Sequence, residues 1–394
     1  MQARGATDTA MHDKWVEIDD DAILHNLTGV RSLLSEQTRL IAVVKANAYG
    51  HGMVETASLL ADNGVEYFAV TFLDEALQLR EAGLEEAILL LSPLADQVSL
   101  QKAIRAQITV MISGPDDAVL ADQVSQTEQI MLSVHLKLET GLNRFGLSHE
   151  EVIKVCEALS RNPYIYIEGI YTHMAHAGAS DPSFTLKQYE CFMQTVRSLE
   201  ERGYNIPIKH CANSAATLRF PEMHLDAVRI GTLLSGQYPV GKMPKPITLR
   251  DPFQYKTRII SLNERPAGSY MGYFRTYRLR RAARIAVLPA GFIDGVAVDV
   301  SNPPAGGLDA LKRAIKMLLA WLRFSRFTAR VYIQGHPCAV AGKVFMQLTL
   351  VELPADLEAG VGTEVSLPAK KSLVSPAIKR IHSRVQYKAT VNGH

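Results

Sequence analysis

Eight short apolar runs recur between residues 41 and 231, most of them separated by a stretch with helical spacing. They are IAVV (41–44), YFAVT (67–71), AILLL (87–91), ITVMI (108–112), MLSVHLKL (131–138), YIEGIYTHM (166–174), IKHCA (208–212) and AVRIG (227–231). One intervening segment carries Leu73, Ala76, Leu77 and Leu79 and ends at Gly83, a helix-stop residue; another carries Val152, Val155, Cys156 and Leu159. Nearly continuous apolar strands imply burial on both faces, and alternation with helices implies parallel pairing through right-handed crossovers. Eight such units close most naturally into an α/β fold of the (β/α)8 TIM-barrel type, with an open doubly wound sheet as the alternative.

The texture changes near residue 245. MPKPITLRDP carries three prolines and reads as a boundary. Beyond it, KTRIISLN, RIAVLPAG, TARVYIQGHPCAVAGKV and MQLTLVELP alternate and turn as β-hairpins do. We therefore expect a barrel over 12–245 and a smaller β-rich domain over 246–394, with residues 1–11 packing on the latter. One amphipathic helix near 307–324 interrupts the β pattern. Leu308, Leu311, Ile315, Leu318 and Leu322 share one face, and Asp309, Lys312, Lys316 and Arg323 lie elsewhere. That face is expected to pack on the β-rich domain or a partner subunit; a membrane or another partner is the alternative.

Charge balance excludes little but excludes it clearly. With 42 Lys+Arg against 40 Asp+Glu, the net charge of +2 gives no electrostatic case for nucleic acid. No stretch approaches a membrane span, the N-terminus lacks an apolar signal core, and none of the four cysteines forms a CxxC pair. A cytoplasmic enzyme with neither a metal site nor a membrane partner is expected.

Chemistry in such a barrel sits at the C-terminal strand ends. Lys45 follows the first strong strand in IAVVKANAYGHG. A lysine there either snorkels to solvent or, partly desolvated, serves as nucleophile or base. The surrounding word decides the matter by resemblance. VVKANAYGHG is similar to the cofactor-lysine motif of alanine racemases, the fold-type III pyridoxal-phosphate enzymes. The resemblance extends through HLKLETGLNRFG (135–146), GIYTHMAHA (169–177), HCANSAAT (210–217), VRIGT (228–232), GYFRTY (272–277) and LPAGFIDG (288–295).

The resemblance implies specific roles. Lys45 would carry pyridoxal 5′-phosphate and serve as one of two bases. Tyr273, supplied across a homodimer, would be the other, with His173 close to it. Tyr49, Ser214, Gly231 and Thr232 would hold the phosphate, with Asn213 in support, and Arg229 would face the pyridine nitrogen. Arg144 would pair with the substrate carboxylate, Met346 would line the substrate site, and Lys137, carbamylated in the family, would hold Arg144 in place. The implied activity is interconversion of L- and D-alanine, feeding D-alanine biosynthesis and peptidoglycan. Departures cluster late in the chain: Phe292 and Ser375 stand where the family has tyrosines, and Gln347 where it has aspartate. A small residue at 375 suggests a serine or broad-specificity racemase as an alternative. A non-catalytic pyridoxal-phosphate-binding protein is a further alternative.

Overall fold

The computed structural model describes residues 12–239, 243–300, 303–304, 306–321 and 329–384. Residues 1–11 and the end of the expected helix, 322–324, lie outside them. The chain divides into two compact units, one formed mainly by Asp19–Pro252 and the other by residues up to Ile18 with Phe253–Ser383.

The first unit is the barrel. Its strands are β1 (Arg39–Val43), β2 (Tyr67–Val70), β3 (Ala87–Leu90), β4 (Val110–Ile112), β5 (Leu132–Lys137), β6 (Ile165–Tyr171), β7 (Ile208–His210) and β8 (Ala227–Ile230). Each expected apolar run overlaps one of them. All pair in parallel, in the orders β3-β2-β1-β8 and β4-β5-β6-β7. The bridges Leu89↔Thr109 and Asn213↔Arg229, also parallel, link these two sets and close the ring. The sheet is therefore a closed barrel rather than an open doubly wound one.

Helices cover the outside. α1 (Asp20–Arg31) precedes β1, and α2 (Met53–Ala61) follows it. Next come α3 (Leu73–Glu81), α4 (Gln97–Arg105), α5 (Pro115–Glu128), α6 (His149–Leu159), α7 (Ser183–Glu200) and the short α8 (Ser214–Arg219). Their ends obey local chemistry. Ser148 and Glu151 form a reciprocal capping box on α6, and Gly83 takes φ +90° just past α3. Ile41, Tyr67, Ala69, Leu89, Ile208 and Ala227 form a core cluster among the strands. Each large apolar side chain so buried contributes roughly 1.5–3 kcal/mol.

The second unit is a nine-stranded sheet with a separate small hairpin. The strand Lys14–Ile18 pairs antiparallel with β9 (Phe253–Arg258) and parallel with β18 (Arg380–His382). Residues 12–18 therefore belong to the β-rich unit and not to the barrel. The reason is local: Trp15, Val16 and Ile18 are buried in this sheet, and Arg258 lies over the Trp15 ring at 4.9 Å. The remaining members are β10 (Ser261–Arg265), β13 (Ala283–Leu288), β14 (Arg330–Ile333), β15 (His336–Val340), β16 (Thr349–Glu352) and β17 (Glu364–Ser366). The separate hairpin is β11 (Tyr270–Met271) with β12 (Tyr277–Arg278).

The inserted helix is present as α9 (Gly307–Trp321). Of the two expected partners for its apolar face, the β-rich unit leaves most of that face exposed among the described residues. Leu308 is 79% exposed, Met317 73%, Leu311 57% and Leu318 55%. No helix among the described residues is long and apolar enough to cross a membrane.

Candidate active site

Lys45 leaves β1 into an unusual turn. Ala46, Asn47, Ala48 and Tyr49 all take positive φ, between 51° and 56°. Left-handed backbone costs non-glycine residues about 1–2 kcal/mol each, so the turn needs external support. It has that support. The Ala46 amide donates to Glu75 Oε1 at 2.7 Å, the Met53 amide donates to Asn47 Oδ1 at 2.9 Å, and the Ala48 amide donates to the Val44 carbonyl at 2.7 Å. Glu75 also accepts from the amides of Thr71 and Phe72 and so fixes the start of α3. The turn thereby places Lys45 and Tyr49 on one cavity.

That cavity, of about 500 Å³, is lined by Lys45, Tyr49, Arg144, His173, Asn213, Ser214, Arg229, Gly231 and Thr232. A volume of this size suits a small cofactor. Every barrel residue singled out from the sequence lines it except Lys137, which is buried beside it. Tyr273 and Met346 belong to the β-rich unit.

One end of the cavity suits an anion. Gly231 lies so close to Tyr49 that a Cβ would strike the phenol. Its amide donates to Ser214 Oγ at 3.4 Å. Thr232 Oγ1 is buried and has no hydrogen-bond partner among the described residues, a donor held ready for a ligand. Asn213 supports them rather than offering its own oxygen. Its Oδ1 accepts from the amides of Ala215 and Ala216 at 3.1 Å each, capping α8.

The other end is cationic. Burial lowers the Lys45 pKa below its ordinary value; Arg144 adds to this, Glu75 opposes it, and Arg229 lowers it further. Burial also holds His173 well below the ordinary histidine value, and the charges of Arg229, Arg144, Lys137 and Lys45 act in the same direction. Lys137 is 1% exposed; its ammonium donates to the Leu138 carbonyl at 2.6 Å. Burial draws its pKa down to about 8 against the pull of Glu139, and Arg229 and Arg144 repel it.

Arg229 is 3% exposed, and both its terminal nitrogens are hydrogen-bonded. Nη2 donates to the Thr172 carbonyl at 2.8 Å, and the guanidinium lies 5.0 Å from the Tyr171 ring centre. Nη1 donates to His210 Nδ1 at 2.8 Å. His210 Nε2 lies 2.8 Å from His135 Nδ1, and His135 Nε2 lies 3.1 Å from Glu168 Oε2. Tyr67 and Thr109 also donate to that carboxylate, at 2.7 and 3.1 Å. A chain of hydrogen bonds thus crosses the barrel interior from a buried cation to a half-buried anion. Gly169 makes room for it, because a Cβ there would overlap the His135 ring.

The sequence reading assigned no role to His135, Glu168, His210, Tyr67, Thr109 or Tyr171. A signal was present for three of them. His135, Glu168 and His210 each interrupt an apolar barrel strand, and a polar group buried there must be paired.

In the β-rich unit, Tyr273 begins a short turn, Tyr273–Arg275, and is 66% exposed. Its ring meets Phe345 edge-on at 5.1 Å. Phe274, Phe292 and Met346 are also exposed, at 81%, 49% and 58%. Gln347 is exposed as well. Ser375 Oγ accepts from the Ala377 amide at 3.4 Å within a local turn. Among the described residues, no cluster of three or more His, Cys, Asp or Glu could hold a metal ion.

Comparison with known proteins agrees across both units. Residues 18–239 match the family model "Alanine racemase, N-terminal domain", and residues 253–390 match "Alanine racemase, C-terminal domain". Alanine racemase 1 of Oceanobacillus iheyensis is 33% identical over 347 residues, covering 88% of this chain and 85% of that protein. The alanine racemase of Desulfovibrio desulfuricans is 31% identical over 353 residues, covering 90% and 88%. Among solved structures, alanine racemase of Clostridium difficile 630 superposes with a TM-score of 0.84 at 27% identity, covering 94% of this chain and 96% of that one. The Bacillus anthracis alanine racemase with bound L-Ala-P gives a TM-score of 0.80 at 27% identity, covering 95% of each chain.

Proposed function

The chain belongs to the alanine racemase family, and from that membership we propose that it interconverts L- and D-alanine with pyridoxal 5′-phosphate, as a cytoplasmic homodimer supplying D-alanine for peptidoglycan. The observation that carries the proposal is the donor set around one cavity. Thr232 Oγ1 is buried without a partner, and Tyr49, Ser214 and the Gly231 amide stand beside it. These groups fit a phosphate. At the opposite side stand a depressed lysine and an arginine fixed by neutral acceptors.

The division of labour follows from the chemistry of each side chain. When bound, the cofactor accepts the electron pair left at the substrate Cα once its proton has gone. Lys45 holds the cofactor and, with its pKa lowered by burial, has a neutral amine available to move that proton on one face. The partner subunit's Tyr273 moves the proton on the opposite face. Arg144 holds the substrate carboxylate by bidentate hydrogen bonding. Arg229 keeps its proton, so facing the ring nitrogen it would offer a donor without charging that nitrogen. That tempers electron withdrawal and favours return of the proton to Cα over side reactions. Exposure of Tyr273, Phe274, Phe292 and Met346 supports the dimer, since a partner subunit would cover them. Four free cysteines, with Cys156, Cys211 and Cys338 buried, fit a reducing compartment.

The test is spectroscopic and enzymatic together. The purified chain should show a visible absorption band that borohydride bleaches and that Lys45→Ala lacks, and it should racemise L-alanine. A native chain loaded with pyridoxal phosphate that leaves L-alanine unchanged would overturn the proposal.

A further inference from the structure

Helix α9 (Gly307–Trp321) leaves Leu308, Leu311, Ile315, Met317 and Leu318 exposed among the described residues. At about 100° per residue, its apolar side runs from Met317 through Leu318, Leu311, Ile315 and Leu308 over roughly 180° of the helix surface. The four charged residues, Asp309, Lys312, Arg313 and Lys316, occupy about 100° on the other side. Asp309 is already paired with Arg313 at 2.9 Å. Lys312 therefore stands at the margin of the apolar arc beside Leu308, and Lys316 lies in the middle of the charged sector, where its charge also acts on Asp299; neither has an acid of its own helix left over.

The charge is also concentrated. Three cations and one acid lie on α9. Removing them from 42 Lys+Arg and 40 Asp+Glu leaves 39 of each, so the net +2 of the whole chain resides on this helix. Two copies of such a helix would repel one another. A two-helix seam also needs only a narrow stripe, not an arc of half the surface. A wide, exposed apolar arc opposite a basic face has the form of a helix that beds into a lipid headgroup layer.

We propose that α9 docks the protein in the plane of an anionic lipid surface. Leu308, Leu311, Ile315 and Leu318 enter the headgroup–acyl boundary, Lys312 reaches from the margin to lipid phosphates, and Lys316 adds its charge to the attraction from the polar face. The helix does not span the bilayer, and the contact is independent of the racemase chemistry.

The experiment is co-sedimentation of the full-length holoprotein with vesicles of phosphatidylcholine alone or mixed with phosphatidylglycerol. Binding is expected only to the mixed vesicles, falling as salt is raised. The neutralising pair Lys312→Gln/Lys316→Gln should lower partitioning about 30-fold, taking about 1 kcal/mol per cation near an anionic surface. Leu311→Asp/Ile315→Asp should abolish it. Both pairs should keep the native far-ultraviolet circular dichroism and racemisation rate. Absence of binding to mixed vesicles overturns the proposal, as does binding that neither pair reduces. Light scattering showing that Leu311→Asp/Ile315→Asp dissociates an oligomer of the native chain also overturns it, by assigning the face to a second copy.

Discussion

Arg229 Nη1 stands 2.8 Å from His210 Nδ1, and a guanidinium can only donate. His210 must therefore accept at Nδ1 and carry its proton on Nε2, where it donates to His135 Nδ1. His135 in turn must carry its proton on Nε2 and donate to Glu168. Both imidazoles are neutral in this arrangement, consistent with their lowered pKa values, for which burial is the first cause. The arginine charge is thus oriented by a carboxylate two imidazoles away.

His210→Leu should leave an N–H of a buried cation without its acceptor. Hydrogen bonds to charged groups contribute about 1.5–3 kcal/mol, so the urea midpoint should fall by that equivalent. His210→Gln, which retains an acceptor, should recover part of the loss. Equal stability of all three proteins would show that the contact contributes nothing.

Glu168→Gln tests the far end of the chain through pH. Burial alone would raise the Glu168 pKa, but hydrogen bonds from His135, Tyr67 and Thr109 hold it below the ordinary 4.5. A folded pKa below the unfolded one means the unfolded state binds more protons between the two values. The carboxylate's contribution is therefore complete above pH 4.5 and is lost as pH falls through the folded value. The stability gap between parent and variant should be widest near neutrality and shrink in acid. A gap unchanged from neutral pH into that acid range would exclude a role for the ionised carboxylate.

The barrel was legible because its signal is local and repeated: each strand lies in a mostly apolar run, with polar interruptions such as His135, Glu168, His210 and Arg229 confined to β5, β6, β7 and β8. The cavity residues were legible as words, since Lys45, Arg229 and Ser214 sit at strand ends whose neighbours in sequence are their neighbours in space. The buried relay was not, because its members come from β5, β6, β7 and β8, and no spacing along the chain brings His135 beside His210. Nor was the left-handed turn at Ala46–Tyr49, whose alanines carry no glycine-like mark of positive φ. The strand Lys14–Ile18 pairs across more than two hundred residues with β9, a register that sequence adjacency cannot reveal. For α9 the amphipathic pattern was plain, but pattern alone does not state what covers it.

Lys137 should make stability rise in alkali. Its folded pKa of about 8 lies below the ordinary 10.5, so the unfolded state binds more protons between those values. Stability should then increase with pH across that window, and Lys137→Met should remove the increase. The same depressed amine is a good trap for carbon dioxide. A carbamate there would place a negative charge beside Arg144 and replace repulsion by attraction. Native mass spectrometry should show the added mass of one carbon dioxide, absent from Lys137→Met. A parent protein without that mass, and with the same alkaline profile as the variant, would refute both expectations.

Tyr273→Phe separates the two faces of the reaction. The substitution removes one oxygen from a side chain that is 66% exposed and keeps the edge-on ring contact with Phe345, so folding should be unaffected. Loss of a positioned acid–base group lowers turnover by about 10²–10⁴-fold. Racemisation of alanine should fall by that factor. Lys45 remains, so the enantiomer that presents its Cα hydrogen to the lysine should still exchange it with D2O at close to the parental rate, while its mirror image should not. Equal loss of exchange for both enantiomers would mean that the tyrosine positions substrate and moves no proton. Racemisation at the parental rate would mean that another group is the second base.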